Sequence, residues 1–314
     1  MLKEVLKHVK TVAIGGHVRP DGDCVGSCLG LYQYIKENYE EIQADVYLED
    51  IPDSFQFIKA AKEIRHEVSD EKEYDIFKNL IHGHETGKEA KIIVSKKRSF
   101  EAASAYKGKH ISALNFASAT NPGGGVTKGA SAQEECLCRV STLYKCISAS
   151  EITEAFHKKH RYALKTGKMN SLYNDDCIQT CDVTVFKSDT AKPALLSEKD
   201  WFDVDVISCV APNLRYMSQH DKNWKKNVTD KRLFDIYKKR INRVLDIASC
   251  AKSDVIILGA FGCGAFANPP ELVAKAMHIA IDEHKYEFET IELAIYCSPR
   301  DTLNYEVFAK EFSA

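Results

Sequence analysis

Apolar positions along this chain fall into short runs separated by stretches of helical spacing. From Lys91 onward the alternation is regular. The runs IIVS (92–95), ISALNFA (111–117), DVTVF (182–186), DVDVISCVA (203–211), DVIILGA (254–260) and TIELAIYC (290–297) predict strands. The fourth is nearly continuous in apolar residues, as in a strand covered on both faces. Between them, SFEAASAYKG (99–108), 132–147, 151–164, 231–250 and the final dozen residues read as helices. The 231–250 stretch places Leu233, Ile236, Tyr237, Ile241, Val244, Leu245 and Ala248 on one face. Strands alternating with helices predict an α/β fold, a three-layer α/β/α sandwich around a mixed sheet.

The first part of the chain is a smaller α/β stretch. TVAIGGH (11–17) and ADVYLED (44–50) predict strands, Cys24–Tyr39 a helix, and PDSFQFIKAAKEI (52–64) a second helix with Pro52 near its start. Between Glu71 and Glu89 the chain turns polar, which places a boundary there and divides it into 1–77 and 78–314. His82 and His84 fall in this loop, and a lone H-x-H is too little for a metal site.

Composition narrows the function classes. A net charge of −2 gives no general attraction to nucleic acid or to anionic membrane. The basic run HKKHRYALKTGK (157–168) could favour a polyanion locally or be a solvated helix face. The opening MLKEVLKHVK is charged and has no signal-peptide core, and no apolar run reaches membrane-span length. Eleven cysteines form no secreted framework. The pairs Cys24/Cys28 and Cys177/Cys181 complete no zinc ribbon, so reduced thiols in the cytoplasm are expected.

Two glycine-rich loops carry the candidate chemistry. In NFASATNPGGGVTKGASAQEE (115–135) the triplet Gly123, Gly124 and Gly125 lets backbone lie flush against a ligand. Gln133, Glu134 and Glu135 follow after seven residues, where a helical pattern begins. Ser131 to Glu134 also matches a capping box, which would turn Glu134 back onto the Ser131 backbone and leave Glu135 unexplained. The second loop, Gly259–Asn268, joins a buried strand to a helix that Asn268 would cap and Pro269 would open. Its backbone N–H groups suit a diphosphate, although it is neither a P-loop nor a dinucleotide fingerprint.

Together these motifs resemble the microbial-type poly(ADP-ribose) glycohydrolases, a branch of the macrodomains, over residues 78–300. The signature of that family is a glycine triplet, a short spacer and Gln-Glu-Glu, and its diphosphate loop is similar to GAFGCGAFANPP. SLYNDDCIQTCDVTVF and DVISCVAPN resemble its intermediate segments. The resemblance implies a macrodomain fold and hydrolysis of the ribose–ribose O-glycosidic bond of poly(ADP-ribose), without metal or cofactor. It makes Glu135 the catalytic acid and Glu134 a ligand of the ribose beside the scissile bond. Gly123, Gly124 and Gly125 would approach that ribose and the diphosphate, with Asn121 on ribose hydroxyls and Asn115 and Gln133 nearby. Gly262, Cys263, Gly264 and Ala265 would wrap the diphosphate. Phe266 would pack on ribose or adenine, or in the core. The implied partners are ADP-ribose or poly(ADP-ribose), on proteins or free, with no membrane and no general nucleic-acid binding.

The chemistry fits the residue types. Cleavage through an oxocarbenium-like state needs a proton on the leaving oxygen. A partly buried Glu next to a second carboxylate is expected to have a raised pKa. A non-catalytic ADP-ribose reader would share the loops without needing Glu135.

The segment His17-Val-Arg-Pro-Asp21-Gly-Asp23 resembles the opening H-x-x-x-D-x-D of the DHH-type phosphoesterases. His17, Asp21 and Asp23 are the candidate metal ligands on that reading. The Asp-His-His signature that completes such a site occurs nowhere in the chain, so a fragment without metal chemistry is expected.

Overall fold

The structure is a computed structural model. It describes residues 6–7, 9–15, 22–66, 86–220, 224–298 and 301–313, without the side chains of Asp23, Lys225 and Asn227. His17, Asp21, His82 and His84 lie outside the described residues, as does the Asp23 side chain. The chain divides into two compact units, Met1–Gly83 and His84–Ala314.

In the first unit, β1 (Thr11–Gly15), β2 (Gln43–Tyr47) and β3 (Ile64–Arg65) form a parallel sheet in the order β1-β2-β3. Helix α1 (Gly22–Asn38) covers it with Val25, Cys28, Leu29, Tyr32 and Ile35, the 3.6-residue stripe expected of it. The helix expected at 52–64 does not form. That stretch makes two 3₁₀ turns, Asp53–Phe55 and Lys59–Glu63, and then enters β3. Its apolar residues do not share a helix face: Phe57 is 83% exposed while Ala60 and Ala61 are buried. Strand pairing Val46↔Ile64 and the contact between Arg65 and buried Asp45 at 2.9 Å hold the extended ending instead.

The second unit is built on a six-stranded mixed sheet. Its strands are β4 (Lys91–Ser95), β5 (Ile111–Phe116), β6 (Cys177–Val185), β7 (Phe202–Cys209), β8 (Val255–Leu258) and β9 (Thr290–Ala294), in the order β4-β9-β8-β5-β7-β6. All neighbouring pairs are parallel except β6 with β7. Alternation along the strands separates two cores. Leu114, Ile207, Ile256, Leu258, Ile291 and Leu293 pack with the long C-terminal helices. Ile111, Ala113, Val204, Val206, Val255 and Ile257 pack on the other face, against α2 (Ser99–Ala103), α3 (Gln133–Val140) and α4 (Leu143–Ile147). These are the three layers of a macrodomain-like fold.

Two helical stretches differ from expectation. The 151–164 helix is assembled from Ser150–Ile152, a π-helical Thr153–Lys158 and α5 (Lys159–Lys165). The sequence reading assigns no element to residues 212–230, and α6 (Leu214–His220) and a turn of helix at Trp224–Asn227 form there. Beyond them lie α7 (Asp230–Cys250), α8 (Pro270–Glu283) and α9 (Leu303–Glu311).

Helix α7 has a charged residue on its buried stripe. Arg240 is 1% exposed, and its guanidinium donates to Asp175 Oδ1 (2.9 Å), Val210 O (2.7 Å) and Leu172 O (2.7 Å). These bonds tie the connection after β7 to the segment before β6. Arg240→Met keeps the volume but leaves two carbonyls and a partly buried carboxylate without this donor. It should lower stability by about 2–4 kcal/mol in urea unfolding.

Candidate active site

Strands β5 and β8 are parallel neighbours, paired Ala113↔Ile257, so the loops that follow them leave the sheet at the same carboxyl edge. The first carries the glycine triplet and the second is Gly259–Asn268. Between them opens a cavity of about 840 Å³. Asn121, Gly124, Gly125, Gln133, Glu134, Glu135, Gly262, Gly264, Ala265 and Phe266 all line it. Asn115, Gly123 and Cys263 are not among the lining residues.

Backbone N–H groups of the loop before them help fix both glutamates. Glu135 Oε1 accepts from Gly125 N–H at 2.8 Å, and Glu134 Oε2 from Ser118 N–H at 2.8 Å. The other Glu135 oxygen, Oε2, is buried and has no hydrogen-bond partner in the protein. Gly124 makes this closeness possible. Its φ is +57°, and a Cβ there would lie 2.5 Å from Glu135 Oε1. Gly123 sits behind it, against the Tyr144 ring.

The capping box that Ser131 to Glu134 could form is absent. Helix α3 starts at Gln133 after Ala132, with no side-chain cap, and Glu134 points inward rather than back to Ser131. Gln133 instead joins helix to sheet. Its carbonyl accepts from Phe116 N–H (2.9 Å), and its amide donates to Leu114 O (2.8 Å) and Ser99 Oγ (2.9 Å). Asn115 is fully buried and supports the site from beneath, donating to Ser208 Oγ (2.9 Å) and facing Glu134 Oε1 at 3.4 Å.

Burial pushes the Glu134 carboxyl up to about 8, against the pull of the Ser118 and Asn115 donors; the neighbouring Glu135 adds to the rise. At neutral pH Glu134 is therefore largely uncharged. That removes one negative charge from a cavity whose second loop suits an anion.

The second loop is shaped by its own interior. Gly262 has φ +77°, and a Cβ would meet the Tyr237 hydroxyl at 2.5 Å and the Ala211 methyl at 2.6 Å. Asn268 does not cap α8: Pro269 takes that position, and the Asn268 amide donates to Pro212 O (2.7 Å) and Gly262 O (2.9 Å). The side chain is spent on closing the loop, which also holds Ala267 at φ +59°. Burial raises the Cys263 thiol to about 12, which removes it from consideration as a nucleophile. Phe266 both lines the cavity and packs against the apolar residues beneath it.

Several residues of the cavity escape a motif reading. Arg98 and Tyr296 form one wall, the guanidinium 4.0 Å from the ring centre, with Tyr296 52% exposed. They follow β4 and β9 directly, and the carboxyl-edge rule applied to those strands would have found them. Fully buried Glu292 on β9 anchors the turn behind Arg98, accepting from Ser95 Oγ (2.6 Å), Lys97 Nζ (3.3 Å) and the Tyr106 hydroxyl (2.6 Å). His157 Nδ1 lies 3.2 Å from Ala119 O and Arg161 donates to Thr120 O, so the π-helical turn and α5 together clamp the backbone leading to Asn121. Among the described residues no cluster of His, Cys, Asp and Glu is arranged to hold a metal ion, and no helix is long and apolar enough to cross a membrane.

Residues 39–188 match the family model described as microbial-type PARG, catalytic domain. The match begins within the first unit and includes the glycine triplet and both glutamates but not the second loop. No curated protein matches the chain. Among solved structures, the chain is similar to poly(ADP-ribose) glycohydrolase from Thermomonospora curvata bound to the inhibitor ADP-HPD. Identity is 28% over 76% of this chain and 83% of that one, with a TM-score of 0.62. It is similar to the Deinococcus radiodurans poly(ADP-ribose) glycohydrolase in complex with ADP-ribose, at 27% identity, 76% and 90% coverage and a TM-score of 0.63. A further crystal form of that complex gives 28% and 0.64 over the same shares. In motif and in fold the chain resembles the microbial-type poly(ADP-ribose) glycohydrolases.

Two outcomes follow from this geometry. Gly124→Ala forces an L side chain into the left-handed region and against Glu135, and should cost about 1–3 kcal/mol in urea unfolding. The raised Glu134 pKa sets a sign for pH dependence. Between the unfolded value of about 4.3 and the folded value of about 8, the folded chain keeps a proton that the unfolded chain has released. Stability therefore falls as pH rises through that window. Glu134→Gln removes the ionisation, so its melting temperature should gain on wild type from pH 5 to pH 8. Parallel curves would show that Glu134 titrates normally.

Proposed function

We infer that this chain, similar in motif and fold to the microbial-type poly(ADP-ribose) glycohydrolases, is itself a poly(ADP-ribose) glycohydrolase that cleaves ribose–ribose O-glycosidic bonds. The observation that carries this reading is the Glu135 carboxyl group, which acts from its protonated form. One oxygen is tied to the glycine triplet by Gly125 N–H, and the other is buried without a partner beside the cavity. A ribose laid on Gly124 would bring its anomeric oxygen to that free oxygen. Glu135 then protonates the leaving ribose oxygen as the C–O bond breaks, and the resulting carboxylate takes a proton from the attacking water. Carboxyl chemistry suffices for both steps, so no metal enters this reading.

The remaining roles are assigned on the same reading. The Gly262, Gly264 and Ala265 backbone, which lines the cavity, is taken to face the diphosphate, and Asn121 the ribose hydroxyls. A largely neutral Glu134 contacts the ribose beside the scissile bond. Tyr296, with Arg98 behind it, offers an aromatic face for the adenine. The division at 77/78 and a cytoplasmic location are part of the same proposal, the latter supported by eleven free cysteines.

Glu135→Gln separates enzyme from reader, because its carbonyl can still accept from Gly125 N–H but it carries no transferable proton. ADP-ribose affinity by calorimetry should stay within about a few-fold, while ADP-ribose release from poly(ADP-ribose) falls by roughly 10²–10⁴. Wild type that binds ADP-ribose yet releases none from any ADP-ribosylated substrate would make the chain a reader. Full turnover in the variant would move the acid elsewhere.

A further inference from the structure

The segment from Ala155 to Asn174 carries five cations, Lys158, Lys159, Arg161, Lys165 and Lys168, and no acidic residue. In a chain of net charge −2 this is a local concentration of positive charge. The fold divides the segment into two faces. Phe156, His157 and His160 point inward and are buried, while Lys158, Lys159, Tyr162, Lys165 and Lys168 are exposed. Tyr162 is 61% exposed and lies three residues before Lys165 on α5, with Lys168 Nζ 5.7 Å from its ring centre. Glu154 pairs with Lys158, but Lys159 and Lys165 have no ion pair among the described residues. An exposed aromatic ring set among uncompensated cations suits a ligand that alternates bases with phosphates.

Its place in the fold says which ligand. The inner side of the same segment clamps Ala119 and Thr120, through His157 and Arg161. The next residue, Asn121, lines the cavity. The segment thus packs, by its inner side, on the backbone that leads into the rim where the glycine triplet and Glu135 meet. That is the end at which the scissile ribose sits on the reading above, and therefore where the uncleaved polymer leaves the cavity.

We propose that the exposed face formed by Lys159, Tyr162, Lys165 and Lys168 is a second binding surface for poly(ADP-ribose), holding a unit beyond the one being cleaved. The lysines neutralise its diphosphate and Tyr162 stacks its adenine. This rests on the function proposed above. It adds that long polymer binds more tightly than a single ADP-ribose, with a stronger dependence on salt.

The test compares wild type with Tyr162→Ala and with the triple variant Lys159→Gln/Lys165→Gln/Lys168→Gln, none of which touches the cavity residues. Fluorescence anisotropy reads binding of end-labelled poly(ADP-ribose), and calorimetry reads ADP-ribose. Both variants should bind ADP-ribose as wild type does. Polymer affinity should fall roughly tenfold in Tyr162→Ala. In the triple variant the slope of log affinity against log salt should shrink by roughly two, from about 0.7 per lost contact. Unchanged polymer affinity and slope in both variants would overturn the proposal. If wild type binds polymer but not ADP-ribose, the reading of the cavity fails, and the same two variants still decide the surface.

Discussion

The site depends on holding two adjacent carboxyl groups, Glu134 and Glu135, out of water. Ser118 N–H and the Asn115 amide donate to Glu134, and Gly125 N–H donates to Glu135. Burial outweighs those donors at Glu134 and favours its neutral form. Both backbone donors lie in the loop after β5, so that loop's path is dictated by the glutamates as much as by the glycines. Gly124 has to lack a Cβ because Glu135 Oε1 occupies its place. Gly125 lies against the Ala130 methyl, which closes the same turn from the other side.

The rest of the unit fixes this loop relative to its partner after β8. Gln133 bonds the first residues of α3 to the end of β5 and to α2. Asn268 closes the second loop on Pro212 and Gly262, and Tyr237 reaches from α7 to Phe261 O at 3.1 Å. Arg240, one turn along α7, holds Val210 beside the same loop. The amides and hydroxyls near the cavity are therefore largely consumed by protein–protein bonds. The cavity is lined by the backbone of the two loops, the carboxyl groups of Glu134, Glu135 and Asp189, several aromatic rings, and the polar side chains of Arg98, Asn121 and Lys128.

Much of this was legible in the chain. The strand runs from β4 to β9 and the 3.6-residue stripe of α7 declared themselves, because burial on two faces or on one stripe leaves a periodic trace. The glycine triplet with its Gln-Glu-Glu marked one loop, and the glycines around Cys263 marked the other. What stayed hidden was polar and structural. Arg240 sits on an apolar stripe that periodicity assigns to hydrocarbon, and its worth comes from carbonyls distant in sequence. Asn268 and the Ser131–Glu134 pair matched capping patterns, yet loop closure and the cavity claimed those side chains. The 52–64 stretch had helical composition, and pairing with β2 overrode it. Arg98 and Tyr296 carry no motif, since only the meeting of β4 and β9 at one edge makes them neighbours of the loops.

Net charge was the least informative quantity, and the reason is spatial. A sum of −2 averages acidic stretches with the segment 155–174, which has no acid at all. At physiological ionic strength charges interact over about 8 Å, so a ligand at the cavity rim responds to the nearby helix rather than to the chain's total. The π-helical turn contributes here in a way composition cannot express. By widening the helix for one turn it buries Phe156 and His157 side by side and brings Arg161 to the Thr120 carbonyl. Loop positioning and the exposed basic face are thus opposite sides of one short helix, and a change in its register would disturb both together.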